Sequence, residues 1–140
     1  MEVGPQAVVD TSALNRLSKP AVEAVVGPLI ERGQVATCAI VDLEVLYSTR
    51  TGAEWAKVAE ELAAMPSVPV TEAVCRRAIA VQGMLWARGK VRSVGLADLL
   101  IAAAAEAAEV EVLHYDRDFD LVATVTGQPA RWVVEAGSAD

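Results

Sequence analysis

Asp98 is the residue in this chain hardest to explain as packing. It interrupts the apolar run Val94-Gly95-Leu96-Ala97-Asp98-Leu99-Leu100-Ile101-Ala102, which puts a carboxylate among neighbours suited to a core. A buried, unpaired charge is costly, so such a group is expected to be protonated or matched by a cation. No Lys or Arg lies within a helical turn of it, which leaves a bound metal ion as a natural counter-charge; the plainer alternative is a helix N-cap ahead of Leu99. Glu44 stands in a similar setting among Ile40, Val41, Leu43, Val45, Leu46 and Tyr47, whereas Asp42 points elsewhere on the same helix and suits its first turn. Asp10 directly follows Val8-Val9, and Asp116 follows His114-Tyr115. In Asp116-Arg117-Asp118 the second acid is either a further ligand or a helix N-cap. Scattered carboxylates of this kind make a hard oxygen site, which suits Mg²⁺ or Mn²⁺. With one His and no paired-thiol motif, a zinc site is not expected. Magnesium held by carboxylates commonly serves phosphoryl chemistry, activating a water and stabilising charge on the phosphate.

These acids act together only if the chain gathers them. Ala7-Val8-Val9 reads as a buried strand ending at Asp10, followed by a short helix from Ser12 to Ser18. Pro20 suits the first position of a helix that reaches about Glu31 and stops at Gly33. Val35 to Ala39 reads as a second strand, with helices from about Val41 to Thr51 and from Ala53 to Ala64. Val68-Pro69-Val70 is a short extended piece, and Thr71 caps a long helix to Arg88. The Ala-rich stretch Leu96 to Ala108 is helical, Val110 to His114 a strand, Asp118 to Val125 a short helix, and Arg131 to Val134 a last strand. Strands alternating with helices point to an α/β fold, one domain across residues 1–140, with a parallel sheet covered on both faces. Ligands of such sheets bind beyond the carboxyl ends of the strands, so Asp10, Glu44 and Asp116 are expected on one edge.

A chain of 140 residues, 54% of them hydrophobic, can bury a core unaided; few of these residues are aromatic, which favours small helices packed closely on a sheet. Its net charge of −7 argues against a generic nucleic-acid binder. The charge is unevenly spread, however. No acid falls between Glu72 and Asp98, a segment that holds Arg76, Arg77, Arg88, Lys90 and Arg92. Arg88, Lys90 and Arg92 are candidates for phosphate contacts; the alternative is a solvated helix face. Cys38 and Cys75 sit in apolar stretches and read as two buried thiols in a reducing compartment. Met1-Glu2-Val3-Gly4-Pro5 shows neither a basic nor an apolar leader region, and no stretch is long enough to cross a bilayer, so a cytoplasmic protein is expected. Trp55, Trp86 and Trp132 suit core or edge packing better than partner contacts, and the lone His114 suits packing or capping better than general-base work.

The segments Val8-Val9-Asp10-Thr11-Ser12-Ala13-Leu14, Leu43-Glu44-Val45-Leu46, Gly95 to Ala102 and Leu113-His114-Tyr115-Asp116-Arg117-Asp118-Phe119-Asp120 resemble the PIN-domain family. Their order and spacing are similar to the VapC-type toxins within it, as is Thr126-Gly127-Gln128-Pro129 to Trp132-Val133. The resemblance spans nearly the whole chain. It implies a parallel sheet of about five strands between helices, a homodimer, and Mg²⁺- or Mn²⁺-dependent endoribonuclease activity. It places the metal-binding acids at Asp10, Glu44, Asp98 and Asp116, with a Ser12 hydroxyl steadying the site. For Ser12 a helix N-cap is an equal alternative. It also implies a VapB-type antitoxin whose tail covers the cleft.

Other readings fit less well. A receiver-type phospho-acceptor domain needs adjacent acids after its first strand and a Lys after a late one; Val9 and Thr11 flank Asp10, and the lysines are Lys19, Lys57 and Lys90. A haloacid-dehalogenase-type phosphatase needs Asp-x-Asp there, and Ser12 replaces the second acid. A catalytically silent PIN-fold binding protein is the remaining alternative, and only activity separates it.

Overall fold

The structure is a computed structural model, and it describes residues 4–140. The leader reading at Met1-Glu2-Val3 therefore lies outside the described residues. The elements run β1 (Ala7–Val9), α1 (Thr11–Leu14), α2 (Pro20–Glu31), β2 (Val35–Ala36), α3 (Ala39–Tyr47), α4 (Gly52–Ala63), α5 (Glu72–Ala87), α6 (Leu96–Ala107), β3 (Glu111–His114), α7 (Asp118–Thr126) and β4 (Ala130–Trp132).

The sheet follows from a period of two. Val8, Ala36 and Val112 are in register across β1, β2 and β3 and face one way; Ala7, Val9, Val35 and Leu113 face the other. Every strand pair is parallel, in the order β2-β1-β3-β4. On one face the sheet meets Leu99, Ile101 and Ala102 to Ala105 of α6, with Val74, Ala78, Val81 and Leu85 of α5 behind them. Methyl side chains let α6 lie close to the strands, the packing its alanine content anticipates. On the other face Val22 and Val26 of α2 cover the strands. Helices on both faces give three layers, the arrangement that buries a parallel sheet.

The sequence anticipates about five strands; four form, and a fifth is reduced to a single parallel bridge between Thr37 and Ser67. Pro66 and Pro69 flank that bridge, and proline cannot donate to a ladder. β2 is shorter than the expected Val35–Ala39 because Cys38 becomes the N-cap of α3. The expected Ser12–Ser18 helix holds only over Thr11–Leu14. Cys38 is buried, but Cys75 is half-exposed, and both are free thiols.

A carboxylate site at the switch point of the sheet

β1 lies between β2 and β3, so the chain order reverses there and the carboxyl ends of β1 and β3 open one crevice. Asp10 leaves β1 into that crevice and serves as N-cap of α1, accepting the Ser12 N–H at 3.0 Å. The Ser12 hydroxyl donates to the same Asp10 oxygen, Oδ2, at 2.6 Å and accepts the backbone N–H of Tyr115 at 2.8 Å. One hydroxyl thus joins the ends of β1 and β3. Ser12 is not itself the N-cap, so that alternative gives way to the bracing one.

Asp10 is 2% exposed. Burial raises its pKa, the Ser12 bonds lower it, and the Glu44 charge raises it. Its other oxygen, Oδ1, is buried with no hydrogen-bond partner. Glu44 projects from α3 and is exposed; its Oε1 accepts the Thr11 hydroxyl at 2.7 Å. Thr11 is a contributor that sequence reasoning missed. Its place directly after Asp10 at a strand end was the available signal.

Asp98 sits in the first turn of α6, whose N-cap is Gly95, so Asp98 does not cap. It meets Asp116 and Asp118: one oxygen from each of the three lies within 4.8 Å of the other two. Asp118 begins α7, with Arg117 rather than itself at the cap position. Its N–H donates to Asp116 Oδ1 at 2.9 Å, and its Oδ2 accepts the Gly95 N–H at 3.1 Å. The Asp98 carboxyl is pushed up to about 9, first by burial, then by a hydrogen bond with Asp118 and the negative charges of Asp10, Asp116 and Asp118. All five acids singled out in the sequence therefore gather at one edge. Asp98, Asp116 and Asp118 form the tight group, Asp10 lies within its electrostatic reach, and Glu44 stands on the Asp10 side.

Among the described residues, no Lys or Arg forms an ion pair with any of these acids. Repelling carboxylates, an orphaned buried oxygen and an all-oxygen donor set fit a divalent cation of the Mg²⁺ or Mn²⁺ type. The basic segment divides. Arg76 pairs with Glu72, Arg77 with Glu106, and Arg88 donates to the Thr124 carbonyl. Lys90 and Arg92 are exposed and form none of these contacts. Trp55 and Trp86 are partly exposed rather than core.

Fold and site together define a three-layer α/β domain with a carboxylate centre at its topological switch point. The family model described as PIN domain matches residues 7–125. The chain is 49% identical to Ribonuclease VapC51 of Mycobacterium tuberculosis over 133 residues, 95% of this chain and 96% of that protein. It is 40% identical to Ribonuclease VapC21 of the same species over 94% of this chain and 96% of that one. The structure of VapBC-5, a toxin–antitoxin system member from Mycobacterium tuberculosis, matches with a TM-score of 0.59 at 25% identity, covering 89% of this chain and 94% of that chain. The chain belongs to the PIN-domain family, in its VapC branch.

Proposed function

We propose that this protein is a Mg²⁺- or Mn²⁺-dependent endoribonuclease, the toxin of a type II toxin–antitoxin pair acting in the cytoplasm as a single-domain chain. The observation that carries the reading is the convergence of Asp98, Asp116 and Asp118 oxygens within 4.8 Å, beside a buried Asp10 oxygen that has no partner. The names of the VapC relatives, which are ribonucleases, support the reaction type.

Asp10, Glu44, Asp98 and Asp116 would hold the cation, with Asp118 as a fifth donor. A bound cation would supply Lewis-acid charge at a scissile phosphate and would lower the pKa of a water for attack. The residues of the chain set the stage for that chemistry. Ser12 fixes which Asp10 oxygen stays free. Thr11 holds one Glu44 oxygen. The raised pKa of Asp98 favours its protonated form, so metal loading would be linked to proton release. Lys90 and Arg92 would take RNA phosphates, with Arg88 tied back to α7. Single-stranded loops are the favoured substrates, because their bases are exposed.

The partner would be a VapB-type antitoxin whose tail covers the acids and supplies them with positive charge. A homodimer is supported by Ile79 and Leu96, 67% and 71% exposed, on adjoining helices α5 and α6. The test is incubation of purified protein with total RNA in Mn²⁺, in Mg²⁺ and in EDTA. Discrete products only with metal support the nuclease. No cleavage by a folded protein across a broad RNA set supports the silent binding protein instead.

A further inference from the structure

His114 is the last residue of β3, fully buried, with its ring between Phe119 and Trp132 at centroid distances of 5.0 and 5.1 Å. Packing alone does not call for an imidazole there. An apolar ring would fill the space without leaving Nε2 buried and unpartnered, at 4.0 Å from Asp120 Oδ1 and beyond hydrogen-bond reach. The other nitrogen is engaged. Nδ1 accepts the backbone N–H of Asp116 at 3.1 Å, which puts the proton of the neutral ring on Nε2. Asp120 is occupied on its other oxygen by the indole N–H of Trp132 at 2.9 Å.

The consequence falls on Asp116. Its N–H lies past the end of the β3 ladder, where the chain leaves the sheet. Its carboxylate accepts the Asp118 N–H at Oδ1. We propose that His114 is a positioning residue for Asp116: its Nδ1 captures the Asp116 N–H and so sets the direction in which that carboxylate leaves the sheet towards Asp98. This rests on the metal-site reading above. His114 touches neither cation nor substrate; it acts through the backbone of one ligand.

The experiment pairs a direct readout of the bond with a chemical discrimination. In ¹⁵N-labelled wild type, a through-hydrogen-bond coupling is expected between the Asp116 amide nitrogen and His114 Nδ1. In His114→Asn the side-chain oxygen replaces Nδ1; in His114→Gln it replaces Nε2. Mn²⁺ affinity by calorimetry is expected to stay within about threefold of wild type for Asn and to fall about tenfold or more for Gln, the usual loss for a partner that orients a ligand. A purely structural His114 reverses that order, because Gln refills more of the ring's volume. Circular dichroism melting checks that both variants fold. Affinity retained equally by both, or better by Gln, overturns the proposal. Absence of the coupling in a wild type that binds Mn²⁺ overturns it whether or not the variants fold. A wild type that shows the coupling but binds no Mn²⁺ overturns the metal-site reading and, with it, the role given to His114.

Discussion

The hydroxyl of Ser12 stands 2.6 Å from Oδ2 of Asp10 and makes that carboxylate part of the backbone scaffold rather than a free side chain. The same hydroxyl accepts the Tyr115 N–H, so the ends of β1 and β3 are joined by one atom at the point where the acids meet. Replacing Ser12 with Ala removes a donor from a buried carboxylate and an acceptor from a backbone N–H. The expected cost is about 1–3 kcal/mol, read by urea unfolding of metal-free protein. Unchanged stability would show the brace to be idle.

The raised Asp98 pKa makes stability depend on pH in a defined direction. In the fold the carboxyl holds its proton up to about 9, against an ordinary value of 3.8, so the native state binds more protons across that interval. The contribution of this group to stability is then greatest at low pH and is lost as pH rises through the interval. Asp10, also raised, adds to the same trend. In EDTA, Asp98→Asn should melt about 2–5 °C above wild type at pH 8.5, with the gap closing at pH 5. An Asn variant that melts lower at pH 8.5 would contradict the repulsion among these acids.

Metal loading should release protons. A carboxyl still protonated near neutral pH must ionise to become a ligand, so Mn²⁺ binding at pH 7 should release about one proton. Calorimetry in buffers of different ionisation enthalpy measures this. The apparent affinity should rise with pH towards 9. Release near zero would mean that Asp98 is already ionised or does not bind the ion.

Lys90 and Arg92 should carry phosphate contacts that the other basic residues of their segment do not. The double substitution to Ala is expected to weaken binding to single-stranded RNA and to reduce the slope of log K against log salt by about 1.4, two contacts at about 0.7 each. Arg76→Ala, which breaks only an exposed pair with Glu72, should leave the slope unchanged. Equal slopes for wild type and the double variant would remove these residues from the RNA path.

Much of this arrangement was legible in the sequence, because its strongest signals are local. Val8-Val9-Asp10 states a buried strand and its exit, and Asp98 announces itself by interrupting a core helix. What was not legible depended on contacts between distant segments. The Thr11–Glu44 bond spans 33 positions and the Ser12–Tyr115 bond 103, and no periodicity encodes either. Asp118 looked like a cap because Asp favours that position, yet its carboxylate instead takes the Gly95 N–H from the loop ahead of α6. The last part of β2 was lost to the start of α3, where a β-rich run and a helix N-terminus overlap at Cys38. Arg88 read as a phosphate contact or a solvated charge, and only the packing of α5 on α7 shows it bonded to Thr124.

The most direct test is cleavage of RNA in Mn²⁺ by three proteins side by side: wild type, Asp98→Asn, and Glu109→Gln, an exposed acid that is not among the site's carboxylates. The expected result is discrete cleavage by wild type and Glu109→Gln, abolished by EDTA, and a loss of about 100-fold or more in Asp98→Asn, as for removal of a group that stabilises transition-state charge. Cleavage by a folded Asp98→Asn at the wild-type rate, or cleavage that persists in EDTA, would contradict a metal-dependent nuclease built on these acids.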